Sequence, residues 1–364
     1  VVEPGVTFRD LLEVFLPRGL VAPASPGTAF ATIGGAVAND VHGKNHEAAG
    51  SFGNHIRWLE ILLPSGEVVR ASPEQRPDLL RLAVGGVGLG GIILAVCLRL
   101  MRVPSNALAL TERRLGDLEA MMAALAEPRA KAAYSVAWLD ALAGGRSLGR
   151  GILEIAEPAL QPLVAPPRRD RRVPFEAPGF ALNSWSVRAF NALYWRRVPK
   201  AGRERRVDYG RFLYPLDALL DWNRLYGRRG FRQFQCVLPF AEAAAGLRKL
   251  LEAVGRARNA SFLAVLKSLG AEGRGYLSFP MPGYTLALDI PERPGSAALF
   301  AALERIARDH GGRLYLAKDA SLSAEGFAEM YPTLPRVQAM LALLDPERRI
   351  DSDMARRLKI RGER

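Results

Sequence analysis

Apolar residues recur at helical spacing from residue 6 to 20, where Leu11, Leu12, Val14, Phe15 and Leu16 follow Thr7, a residue suited to capping. Pro23, Pro26 and Gly27 end that pattern. Strand-like runs at Ile56 to Leu63 and Val68 to Ala71 flank Pro64-Ser65-Gly66-Glu67, which predicts a hairpin. Pro77 to Leu82 reads as a helix, and Gly91 to Leu100 as a long strand. Beyond Pro104 the pattern starts afresh, with a helix from Leu115 to Leu125 and alternating strands up to residue 160. Strands at Phe231 to Leu238, Phe262 to Leu266 and Thr285 to Ile290 then alternate with helices at Ala241 to Ala257 and Ser296 to His310. A short strand is expected from Leu314 to Ala317. The whole predicts an α+β protein, its antiparallel sheet covered by helices on one side.

Two stretches break the periodicity. Ala29 to Asn54 is rich in glycine and alanine and poor in bulky side chains, as where backbone is brought close to a ligand. Residues 161 to 212 mix prolines with a dense arginine series from Arg168, Arg169, Arg171 and Arg172 to Arg203, Arg205 and Arg206, interleaved with Trp185, Phe190, Tyr194 and Trp195. Its prolines predict an irregular segment, either a mobile basic lid suited to anionic lipid headgroups, with Trp185, Tyr194 and Trp195 at the interface, or a solvated loop whose aromatics pack on the adjoining domain.

At 364 residues the chain exceeds one ordinary core, so two domains are expected. Fifty basic against 37 acidic residues give a formal charge of +13, which makes a phosphorylated substrate, an anionic membrane surface or nucleic acid plausible partners. No stretch reaches the ~20 apolar residues of a membrane-spanning helix. Cys97 and Cys236 sit in apolar runs without Cys or His neighbours at metal spacing, which predicts buried thiols and leaves the compartment open between cytoplasm and periplasm.

Several familiar motifs fail on their context. Gly86-Val87-Gly88-Leu89-Gly90-Gly91 fits the dinucleotide fingerprint, but a helix precedes it and a strand follows, the reverse of a Rossmann unit. His42 and His46 stand four apart, yet Gly43 and its surroundings oppose a helix and no third ligand is near, which argues against zinc. No G-x-S-x-G elbow occurs, so hydrolysis is disfavoured. The basic segment matches no recognition fold, so nucleic acid is not expected.

The informative block is Pro26-Gly27-Thr28, then Thr32-Ile33-Gly34-Gly35-Ala36-Val37-Ala38-Asn39-Asp40-Val41-His42-Gly43-Lys44-Asn45-His46, then Gly50-Ser51-Phe52-Gly53. Successive small residues let main-chain N–H groups approach a pyrophosphate without a Rossmann helix. The block resembles the flavin loop of the vanillyl-alcohol oxidase superfamily and, in its His-Gly-Lys-Asn-His run, the decaprenylphosphoryl-ribose 2-oxidases. Similarity continues through Gly85 to Ile93, Trp222-Asn223-Arg224, Gly312 to Asp319 and Asp351 to Leu358.

The resemblance implies a two-domain FAD-binding fold of that superfamily, with a flavin unit at 1–104, an antiparallel-sheet substrate unit at 105–310 and a segment at 311–364 returning to the flavin. An Arg-Ser-Tyr-Gly-like pyrophosphate loop, which it places ahead of the block, has no counterpart after Val1, so the flavin unit is expected to be N-terminally incomplete. It implies noncovalent FAD contacting Gly27, Thr28, Thr32, Ile33, Gly34, Gly35, Asn39, Asp40, Val41, His42, Gly43, Ile92 and Tyr315. Lys318 and His42 are the implied catalytic residues, and Gln235, Lys267, Thr285 and Lys318 the substrate contacts. The cysteine captured by covalent inhibitors in mycobacterial relatives is replaced in Gly283-Tyr284-Thr285-Leu286-Ala287. The implied reaction is oxidation of the 2-hydroxyl of polyprenylphosphoryl-β-D-ribose in the bacterial cell envelope, alongside a short-chain keto-reductase and a peripheral anionic membrane surface. An aldonolactone or free-sugar oxidase and a flavin-free binding protein stand as alternatives.

Overall fold

The computed structural model describes residues 1–132, 134–164, 171–178, 182–259 and 262–362. Arg168 and Arg169 of the basic segment lie outside the described residues. The first helix, α1 (Phe8–Phe15), starts where expected, because Thr7 and Asp10 close a reciprocal capping box. It is shorter than expected, and a 3-10 turn at Leu16–Arg18 finishes it. The glycine-rich stretch holds a helix that its composition concealed, α2 (Ile33–Ala38), capped by Thr32 and burying Ile33, Ala36 and Val37.

The predicted hairpin forms as β1 (Ile56–Leu62) and β2 (Val68–Ala71). After α3 (Pro77–Ala83), β3 (Ile92–Leu98) pairs antiparallel on the other side of β1. The fingerprint-like glycines form the turn from α3 into β3. A Cβ on Gly86 would fall 1.8 Å from the Leu82 carbonyl oxygen, so this glycine serves tight packing on the helix end.

A second, eight-stranded sheet is antiparallel throughout. It comprises β4 (Ala107–Leu115), β5 (Tyr134–Leu139), β6 (Gly151–Pro158), β7 (Arg203–Asp208), β8 (Phe231–Pro239), β9 (Ala264–Leu269), β10 (Gly283–Pro291) and β11 (Arg313–Leu314), in the spatial order β7-β4-β6-β5-β9-β10-β8-β11. Strand alternation sorts its residues. Phe234, Cys236, Leu266, Leu286, Leu288 and Ile290 point to one face and join the core with Leu247, Leu250, Leu251 and Val254 of α6 (Phe240–Ala257) and Leu299, Phe300 and Leu303 of α7 (Ser296–Asp309). Shortening such a buried leucine to alanine costs about 2–5 kcal/mol. Helix α4 (Leu118–Leu125) covers β6 from the same side with Met121 and Leu125. The opposite face carries the site.

The basic segment departs from the expected irregular lid. Its described residues include a 13-residue helix, α5 (Ser184–Arg196), and the edge strand β7. Asn183 caps α5, accepting from the backbone of Trp185 and Ser186, while the prolines fall outside both elements. Trp195 is not an interface residue, since its indole donates to the Leu115 carbonyl at 3.0 Å. Tyr194 also turns inward, packing on Trp138 with ring centroids 4.7 Å apart.

Candidate active site

On the free face of the eight-stranded sheet, alternation brings together Gln233 and Gln235 of β8, Val265 and Lys267 of β9, and Ala287 and Asp289 of β10. They floor a cleft of about 650 Å³. The opposite wall is the loop Ser25-Pro26-Gly27-Thr28 with Val41, His42 and Lys44. Tyr315 and Lys318 close one end, and Trp138, Glu154 and Tyr194 extend the floor.

Lys318 reaches the cleft because the expected strand stops early. Strand β11 ends at Leu314, Tyr315 leads into a 3-10 turn at Leu316–Lys318, and the i, i+3 pair Tyr315 and Lys318 can then share one side. Tyr315 is fixed by its backbone N–H donating to the Gln235 carbonyl at 2.9 Å and its hydroxyl donating to the Asn39 carbonyl at 3.2 Å. Its ring stacks on Phe279 with centroids 4.6 Å apart, and both rings lie against His42.

His42 is the hub. Its Nδ1 lies 3.2 Å from Lys267 Nζ and its Nε2 lies 3.0 Å from the Gln235 amide. Burial holds its pKa well below the usual imidazole value, helped by the charges of Lys267, His46 and Lys318, so the ring is neutral at neutral pH. The Gln235 atom that faces His42 Nε2 is its amide nitrogen, which also donates to the Thr285 hydroxyl. Lys267 is itself depressed to about 7 by burial and by its neighbours Lys318 and Lys44. Burial lowers Lys318 as well, with Asp289 opposing, and takes Lys44 to about 8, with Glu154 opposing. None of the three ammonium groups forms an ion pair among the described residues.

The remaining expected contacts divide. Gly27, Thr28, Val41, His42, Gln235, Lys267, Tyr315 and Lys318 line the cleft. Thr285 lies on the same face of the sheet as Lys267 but is fully covered, its hydroxyl accepting from Gln235 at 3.0 Å. Asp40 is turned away, bonding the Gly53 N–H at 2.8 Å and the Ser278 hydroxyl. Gly34 packs on Pro4, where a Cβ would come within 2.8 Å of the proline side chain, and Gly43 runs against Ser25. Thr32 caps α2 through Gly35 N–H, Ile33 is core, and the Asn39 amide donates back to Gly35. Ile92, at the start of β3, is exposed and away from the cleft. His46 does not converge on the cleft with His42, for its Nδ1 accepts from Gly270 N–H at 3.0 Å. Lys44, Gln233 and Asp289 went unpredicted. The last two share strand parity with Gln235 and Thr285, and that alternation is the signal that points to them.

The cleft fits FAD in kind. It offers an aromatic and apolar end, an open approach beside Gly27, where a Cβ would meet nothing within 4 Å, and, beside the carboxylates Glu154, Asp217, Asp221 and Asp289, the three ammonium groups Lys44, Lys267 and Lys318 for an anionic ring edge and pyrophosphate.

Comparison with known proteins agrees. The family model described as FAD binding domain matches residues 1–72, and that described as D-arabinono-1,4-lactone oxidase matches residues 286–358. The decaprenylphosphoryl-beta-D-ribose oxidase of Mycolicibacterium smegmatis is 36% identical over 374 residues, covering 99% of this chain and 80% of its own length. An uncharacterized protein of Streptomyces coelicolor is 32% identical over 97% of this chain and 100% of its own. A D-lactate dehydrogenase of Anaerostipes hadrus shares 31% identity over 30% of this chain and 24% of its own.

Proposed function

The chain belongs to the decaprenylphosphoryl-β-D-ribose oxidase family of FAD-dependent oxidoreductases, and we propose that it oxidises the 2-hydroxyl of a polyprenylphosphoryl-β-D-ribose to the 2-keto sugar. The observation that carries this is the gathering of three ammonium groups, Lys44, Lys267 and Lys318, none in an ion pair among the described residues, around one cleft with the uncharged hydrogen-bonding pair His42 and Gln235. A site built for an uncharged sugar has no need of three cations. One bearing a phosphate and a cofactor that becomes anionic does.

When bound, FAD would supply the acceptor for the hydride that leaves the sugar carbon. It would be held noncovalently against Gly27, Thr28, Val41, His42 and Tyr315, between residues 1–104 and 105–310, with 311–364 returning to complete the cleft. Lys318 supplies positive charge where the reduced cofactor becomes negative and holds the sugar hydroxyl. Lys267 receives the hydroxyl proton, being poised near neutrality as a general base should be. His42, neutral and hydrogen-bonded to it, keeps Lys267 aimed and adds no competing charge. Gln235 orients the sugar, and Lys44, lowered only to about 8 against about 7 for Lys267, is suited to the phosphate. The keto sugar would pass to a short-chain keto-reductase, completing epimerisation to an arabinose donor for cell-envelope polysaccharide.

Anaerobic mixing of the flavin-loaded protein with a short prenylphosphoryl-β-D-ribose should bleach the flavin band. A second reading, oxidation of an aldonolactone, is favoured by the family match at residues 286–358. Bleaching by D-arabinono-1,4-lactone and not by the prenylphosphoryl sugar would replace the first reading with the second.

A further inference from the structure

Helix α5 is amphipathic the wrong way round for its own stability. At 100° per residue Val187, Asn191 and Tyr194 share the inner side. Val187 is buried, the Asn191 amide donates to Asp140 at 2.8 Å, and Tyr194 lines the cleft. Just past the helix end, Arg197 is bonded to Glu112 and Glu154, which clamps the helix to the sheet. The outer side carries Trp185, 80% exposed, and Leu193, 71% exposed, with Phe190 at 46% on one flank. Arg196 shares that outer side, Arg188 lies on the flank opposite Phe190, and both are exposed. Large apolar side chains gathered on a rigid outer face mark a surface that meets something.

We propose that this outer face of α5 seats the protein on an anionic bilayer. The inference rests on the substrate reading above only in supplying a reason for the bilayer to be near. Its own support is the chemistry of the face. Trp185 and Leu193, eight residues and so about 12 Å apart along the axis, give two apolar anchors. A tryptophan with an apolar body and a polar N–H is suited to the headgroup boundary, and Arg196 on the same face and Arg188 beside it complement acidic headgroups in a chain of formal charge +13. The clamp through Arg197, Asn191 and Trp195 holds the face at fixed orientation. Because Tyr194 reaches the cleft from the opposite side of the same helix, the bilayer surface and the cleft are separated by roughly one helix diameter, about 10 Å. A sugar on a lipid phosphate could then enter the cleft while its tail stays in the membrane.

The test uses the flavin-loaded protein with vesicles of phosphatidylcholine, alone or mixed with phosphatidylglycerol. The parent should co-sediment with the mixed vesicles, and Trp185→Ser/Leu193→Ser should partition at least about tenfold more weakly. Both positions are exposed, so the variant should melt as the parent does and oxidise a water-soluble short-prenyl substrate at the parent rate. Bilayers with brominated acyl chains should also quench a fluorescence component that Trp185→Phe lacks. Equal sedimentation of parent and variant, or no sedimentation of either, overturns the bilayer contact and leaves a partner protein as the occupant to seek. Vesicle binding that depends on these two residues, in a protein whose flavin no prenylphosphoryl sugar bleaches, keeps the contact and removes the substrate reading instead.

Discussion

Two groups of charge lie on the same face of the eight-stranded sheet. At the β7-β4-β6 end, Glu112 is sealed from water and takes Arg197, Arg203 and Arg205 on its two oxygens, with Glu154 sharing Arg197. Burial alone would raise the Glu112 pKa, but the hydrogen bonds from Arg205 and Arg203 and the charge of Arg197 outweigh it and leave it lowered. At the β9-β10-β8 end, Lys267, Lys318 and Lys44 gather without ion-pair partners among the described residues, and all three lose basicity. The first group is closed, since its anion satisfies its cations and it anchors α5 and β7. The second is open, its cations awaiting charge from a ligand. The two groups use different cations: planar, always-charged guanidinium suits a permanent pair, whereas an ammonium can give up its proton when buried.

Substitutions can break this contrast. The largest loss of turnover is expected from Lys318→Ala, which should slow sugar-dependent flavin reduction by ~10²–10³ in anaerobic stopped flow while the fold persists. A near-parent rate would remove Lys318 from the chemistry. Lys267→Met should cost about 10² in the same measurement, the lower end for a general base. It should also reshape the pH profile. A base must be unprotonated, so parent kcat/KM should fall as pH drops through about 7, where Lys267 titrates among His42, Lys318, Lys44 and Asp289, and the variant should lose that limb. Glu112→Ala should change turnover least, by no more than a few-fold, yet lower unfolding free energy by about 3 kcal/mol in denaturant titration, because it leaves guanidinium groups partly buried without their anion. Turnover lost with stability intact would mean that the two groups are not separable.

How far the sequence carried this picture depended on whether a feature is local. The hairpin at Ile56–Leu62 and Val68–Ala71, helices α6 and α7 and the strands around Gln235 and Thr285 show their periodicity within a few residues, and were legible. Helix α2 was hidden by glycines placed for close packing, and α5 by flanking prolines and an inverted apolar face. Within the site, Lys318, His42, Gln235 and Lys267 converge as the family resemblance implied. Thr285 and Lys267 are register partners on one face, yet the longer lysine reaches the cleft while the covered threonine holds Gln235. Asp40 and Gly34 looked like cofactor contacts because small and acidic residues serve loop closure as readily as phosphate binding.

Tyr315 joins, through two hydrogen bonds, the loop that leads to His42 and the strand that bears Gln235, and the bond to Asn39 spans 276 positions of sequence. Translation at about 5–20 residues per second separates the emergence of those two partners by roughly 15–55 s. The glycine-rich wall therefore exists in the cell for an appreciable time before the turn carrying Lys318 has been made. Competence for oxidation thus waits until the stretch carrying Tyr315 and Lys318 has been made, and cofactor retained in a reactive form belongs to a step after it.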